Sequence, residues 1–205
     1  MTTMLWRQTA VALRLLIAFT IICGIAYPLV VYGVAHIPGL AGNAEGSVVT
    51  NAAGAPAGSS LIGIDPVPAD PAADPYFHTR PSASASDVLG PADTTTSGGS
   101  NLSGFNPKLT DQVQQRRALI AQREGVNPAL VPPDAVTASA SGLDPDISPA
   151  YAQLQAARVA RVTGLSEAAV QNLVAQATSG RVLGFLGEPT VNVTELNLLV
   201  QQAGR

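Results

Sequence analysis

The run LLIAFTIICGIAYPLVVYGVA, Leu15 to Ala35, carries no formal charge. About 20 apolar residues suffice to cross a hydrocarbon core, and in lipid the backbone must satisfy its own hydrogen bonds, so the run reads as one spanning helix. Trp6 precedes it, and Tyr27 and Tyr32 stand near its far end. A rise of about 1.5 Å per residue puts Trp6 and Tyr32 roughly 40 Å apart, the separation of the two membrane interfaces. Arg7 and Arg14 flank its start and no acid precedes it, which places residues 1–14 in the cytoplasm and the rest of the chain on the other face. The rival is a cleaved signal peptide, with Gly42–Ala44 as a small-residue cleavage site. Secretory apolar regions run about 7–15 residues, so the longer run favours a retained anchor. Within it Thr20, Gly24 and Pro28 recur every four residues, a stripe of small groups against which another helix can pack.

The remaining chain suits one domain on a stalk. It is 46% hydrophobic overall but only 4% aromatic, so its core rests on Ala, Val and Leu. A net charge of −3 argues against nucleic acid, which needs a basic surface. Cys23 is the single cysteine, which excludes an internal disulfide, and Lys108 is the single lysine. Residues 36–60 read as a small, polar tether with a short strand at 47–50. LIGID, 61–65, reads as a strand. The Asp-Pro pairs at 65–66, 70–71 and 74–75 predict an extended surface loop.

Helices follow where caps and periodicity agree. Asn106, Pro107 and Gly125 bound one that carries Leu109, Val113 and Ile120 on one side. Residues 135–138 read as a short strand. Ser148, Pro149 and Gly164 bound a helix with Leu154, Ala157 and Arg161 as its stripe. Ser166 caps another over 167–178, with Val170, Leu173, Val174 and Ala177 inward. Thr194 caps the last, with Leu196, Leu199 and Val200 inward. The expected fold class is α+β: a membrane helix at 15–35, a tether at 36–60, and an extracytoplasmic domain at 61–205.

Chemistry is sparse. The loop Ser97, Gly98, Gly99, Ser100, Asn101 resembles a phosphate cradle, but the lysine of a G-x-x-x-x-G-K-[ST] motif is missing, as is the G-x-G-x-x-G spacing. A hydrogen-bonded turn fits it better. His78 and Arg80 invite an anion, yet a lone histidine is weak support for metal, and Arg80 fits pairing with a carboxylate. Asp144 and Asp146 suggest part of a calcium loop whose full pattern is missing, and a turn before a helix N-terminus explains them. No G-x-S-x-G elbow or H-E-x-x-H pair occurs. The helices at 149–161 and 166–178 imitate a helix-turn-helix, which the acidic balance opposes. Elimination leaves a membrane-anchored binding or assembly module.

The ordered blocks GSSLIG, YFHTRPSAS, SGGSNL, SASGLDPDISPAYAQLQAARVARVTGL and GFLGEPTVNVTELNLLV, behind one N-terminal span, resemble the C subunit of the bacterial Kdp potassium-transporting ATPase over nearly the whole chain. Ile64 with its Asp-Pro insert, Thr79, Ala140 and Asp146 depart from that family's pattern. The resemblance implies an accessory, non-catalytic subunit needed for assembly and activity. Its partners would be a channel-like potassium subunit and a P-type ATP-hydrolysing subunit, in contact with membrane lipid and not with nucleic acid. It also implies a catalytic chaperone that raises ATP affinity in the hydrolysing subunit, so that ATP and potassium are handled by the complex and no cofactor is assigned to this chain. His78, Arg80 and Asp144 are then candidate partner contacts, and Ser97–Asn101 a candidate nucleotide or partner loop. The alternatives are a direct ATP-binding regulatory subunit using Ser97–Asn101, and a membrane-tethered exported hydrolase.

Overall fold

A computed structural model describes residues 2–204. It divides into two compact units, Met1–Ser47 and Val48–Arg205.

The first unit is dominated by one continuous helical rod. Helix α1, Thr2–Ile21, passes through a π-turn, Ile22–Ala26, into α2, Tyr27–Ala35; a short α3, Ala41–Ala44, follows. The π-turn has a local cause. Pro28 has no N–H for the Gly24 carbonyl, and its ring crowds that carbonyl, so the backbone widens and Tyr27 N–H bonds back to Ile22 O. Thr3–Ala35 is long and apolar enough to cross a membrane, and none of its most apolar window is buried by the rest of the chain. A soluble core helix would be covered by protein. This one leaves Leu16, Phe19, Ile22, Leu29 and Val30 bare all round, as a helix solvated by lipid does.

The second unit is built around α6, Pro149–Thr163, which packs against α7, Glu167–Gln176, and α4, Pro107–Glu124. Ala152, Ala156 and Ala160 recur every four residues on its buried face, so neighbouring elements approach closely; this is how a core poor in aromatics closes. Its stripe is not the expected one. Leu154 is half-buried, Ala157 and Arg161 are exposed, and the inward face also carries Gln155, Arg158 and Val159. A three-stranded antiparallel sheet, β3 (Asp146–Ile147), β5 (Thr190–Asn192) and β4 (Thr178–Ser179) in spatial order β3-β5-β4, leads into α8, Val193–Ala203. A separate hairpin pairs β1, Val48–Thr50, with β2, Pro56–Ser59. The mixed helix-and-sheet class expected from sequence holds.

Other local expectations change as well. LIGID forms no strand. Residues 133–136 form a short helix, α5, because consecutive prolines set helical φ at its start. The cap of α8 is Asn192, whose Oδ1 accepts from Glu195 N–H, while Thr194 Oγ1 is buried without a partner among the described residues. The Asp-Pro segment lacks regular structure as expected, apart from a 3-10 turn at Pro71–Ala73, but it does not lie wholly on the surface. Asp74, Phe77, His78, Pro81 and Ser82 are buried.

Candidate functional site

The strap from Asp74 to Ser82 runs through the domain in extended form. An extended backbone turns successive N–H and C=O pairs to opposite sides. Each side is met by a side-chain amide standing in for a neighbouring strand. Phe77 N–H donates to Asn197 Oδ1 at 2.8 Å and Phe77 O accepts from Asn197 Nδ2 at 2.9 Å. His78 N–H donates to Gln155 Oε1 at 2.8 Å and His78 O accepts from Gln155 Nε2 at 3.2 Å. Phe77 can therefore bury its whole ring without leaving its backbone unsatisfied.

A buried ionic network locks the strap to α4 and α6. His78 sets Nδ1 2.9 Å from Asp65 and Nε2 2.6 Å from Asp74. Arg158 reaches Asp74 at 3.2 Å and Glu124 at 2.9 Å, and donates to the Asp74 carbonyl at 2.7 Å. Arg123 joins Glu124 at 2.7 Å and the Tyr151 hydroxyl at 3.0 Å. Burial alone would raise the Asp74 pKa. The His78 hydrogen bond and charge, the Tyr76 N–H and Arg158 together reverse that and hold its carboxyl below the ordinary value. Burial also pushes the Tyr151 hydroxyl up, against the pull of Arg123.

The segment 138–144 is a hub on which three loops converge. Gly63 N–H donates to Leu143 O at 2.7 Å, Ser139 N–H to Pro81 O at 2.9 Å, and Gly98 N–H to Ser141 O at 2.7 Å. Arg80 pairs with Asp144 at 3.1 Å. The glycine loop lies against this hub backbone to backbone. A Cβ on Gly99 would stand 2.9 Å from Ala140 O, and one on Gly142, which sits at φ +75°, would stand 2.7 Å from Gly98 O. Ser97 Oγ donates to Ser141 O at 3.1 Å, so this hydroxyl and the Gly98 amide are both committed within the protein. Asp144 Oδ1 accepts from Asp146 N–H, a turn closed by its own carboxylate. Burial and the charge of Asp144 push Asp146 up, partly offset by a hydrogen bond from Asn192. No group of three or more His, Cys, Asp or Glu among the described residues is arranged to hold a metal.

A family model described as KdpC, K+-transporting ATPase, c chain, matches residues 9–202. The chain belongs to the KdpC family. A potassium-transporting ATPase KdpC subunit from Kineococcus radiotolerans is 46% identical over 201 residues, covering 98% of this chain and 96% of the relative. One from Variovorax paradoxus is 48% identical, covering 94% and 93%, and one from Geobacter sulfurreducens is 45% identical, covering 91% and 93%. KdpC membership makes the chain a subunit of a potassium-transporting ATPase, with α1–α2 as its candidate spanning segment.

In this KdpC chain the residues singled out from sequence fall into three settings. Ser97, Gly98 and Gly99 join Arg80 and Asp144 around the hub, while Ser100 lines a pocket beside α4 and Asn101 adopts φ +51°. His78 turns inward, 6% exposed, and Arg80 and Asp144, about a quarter exposed, engage each other. Thr20 and Gly24 stack within α1 and the π-turn, the Thr20 methyl 4.0 Å from where a Gly24 Cβ would stand, while Pro28 lies beyond that turn. Sequence reasoning missed Asp65, Asp74, Glu124, Gln155, Arg158 and Asn197. The signal for two of them was present: Gln155 and Arg158 lie on the alanine face of α6.

Proposed function

We propose that this chain is a non-catalytic accessory subunit of a potassium-uptake ATPase, anchored by the apolar helix and acting through contacts of its folded domain. Residues 1–14 lie in the cytoplasm and the domain on the outer face, as Arg7 and Arg14 direct. Thr20, Gly24 and Pro28 form the face on which a partner helix packs in the membrane. The domain docks on a channel-like potassium subunit, and its effect on the ATP-hydrolysing subunit, raised ATP affinity, is transmitted by coupling between binding sites.

The observation that carries this reading is the hub at 138–144. Its loops are fixed by direct backbone hydrogen bonds, and the glycines serve close approach, which gives a preformed contact surface. Direct ATP binding by Ser97–Asn101 fares worse, since the Gly98 amide and the Ser97 hydroxyl already serve Ser141 O. The test keeps the helix and removes 61–205 in the assembled complex. Potassium-stimulated ATPase should disappear; unchanged activity would contradict the reading.

A further inference from the structure

Arg116 is a buried cation without a counter-ion among the described residues. It is 3% exposed on α4, where Nε donates to Val88 O at 3.1 Å and Nη1 to Val136 O at 3.2 Å. Nη2 has no hydrogen-bond partner among the described residues and is the part of the guanidinium that reaches solvent, and no carboxylate among them pairs with the group. Arg123 and Arg158, the buried cations of the strap network, both have carboxylates. Burial lowers the Arg116 pKa with no acid to restore it. A charge so largely desolvated, with one donor left open toward the adjoining space, favours an anion there.

The space beside it is built for one. Arg116, Gln112 and Lys108 follow one another at four-residue spacing on one face of α4, so they line one wall. Ser82, Ser100 and Asp87 contribute opposite, around a cavity of about 220 Å³. The two cations and Asp87 leave one net positive charge. That balance matches a single carboxylate; a doubly charged phosphate would remain under-neutralised and would face Asp87.

We propose that this pocket receives one Asp or Glu side chain from another subunit of the ATPase. The carboxylate accepts from Lys108 Nζ and Arg116 Nη2, which completes the set of partners that the fold leaves open. The inference rests on the subunit reading above.

Lys108 supplies the test, because it is the only lysine in the chain. A carbodiimide joins an amine to a touching carboxylate as an amide, with the lost water taken up by the reagent. Applied to the purified complex, it should link Lys108 to an acid of another subunit, located by mass spectrometry of the peptides. Lys108→Arg should keep the complex and lose the link, and Lys108→Glu should weaken retention of the chain by about tenfold or more. Co-purification of the wild-type chain without an intersubunit link at Lys108 would overturn this inference alone. Failure to co-purify would overturn the subunit reading with it. Saturable binding of inorganic phosphate below millimolar concentration to the full chain in detergent, read from the Gly99 and Ser100 amides, would overturn the choice of carboxylate.

Discussion

Arg158 is the residue whose loss the domain should tolerate least. It faces Asp74 and Glu124, both almost fully shielded from water. Arg158→Leu would leave Asp74 with His78 and Glu124 with Arg123, but it would remove one buried cation from each carboxylate and the donor to the Asp74 carbonyl. The cost should approach the roughly 3–5 kcal/mol of breaking a buried pair from one side. Urea unfolding of the full chain in detergent should show that loss. Asp74→Asn separates charge from shape. The Asp74 carboxyl is held below its ordinary value near 3.8, so on acidification the unfolded chain takes up this proton first. Its stabilising contribution is complete above that value and fades as pH falls through the lower folded one. Wild type should therefore lose stability more steeply below about pH 4 than Asp74→Asn does, by thermal unfolding across an acid series. At the hub, Gly142→Ala combines φ +75° with a 2.7 Å contact, whereas a Cβ on Gly98 meets nothing within 4 Å. The first change should cost about 1–3 kcal/mol and the second almost nothing, which paired melting curves would check.

Elements were legible from sequence where a local rule governs them, and illegible where the tertiary fold overrides it. Asn106, Ser148 and Ser166 cap as expected because the side-chain oxygen and the orphan N–H lie within three residues of each other. Gly125 and Gly164 end their helices in left-handed geometry for the same local reason. The 61–65 segment has apolar residues but joins neither sheet; its Gly63 N–H bonds the irregular hub at Leu143 O instead, so LIGID stays irregular. Asp-Pro chemistry correctly excluded regular structure from the strap but gave no hint of burial. That burial depends on Asn197 and Gln155, 120 and 77 residues away in sequence, supplying the hydrogen bonds of absent strands. The candidate site was legible as a set of loops, since SGGSN and ASASGLD announce turns, but their contact with each other left no mark in spacing. The strap's dependence on α8 can be tested directly. Asn197→Ala removes both partners of the Phe77 backbone, and each buried group left unpaired costs about 1–3 kcal/mol. Hydrogen exchange at the Phe77 amide should accelerate strongly, while amides in the middle of α4 keep their protection.

At the scale of the whole molecule, the apolar helix and the folded domain obey different solvents, and the proposed orientation follows from two arginines. Cys23, the single cysteine, lies within Thr3–Ala35, so thiol labelling reports on the membrane directly. A charged, membrane-impermeant maleimide needs water to reach a thiolate, and hydrocarbon excludes it. In intact cells Cys23 should stay unlabelled. In a Cys23→Ser background, Ser103→Cys on an exposed loop of the domain should label from outside, and Thr3→Cys only after the membrane is opened. The reverse pattern would mean that Arg7 and Arg14 do not set the topology and would place the hub, the Lys108 pocket and any partner docked on them in the cytoplasm. Access at both positions before opening would instead show that the N-terminal helix is not a membrane span. The chain would then have to cover the bare apolar surface of Leu16, Phe19, Leu29 and Val30 with protein, and no residue of that window is covered within its own fold.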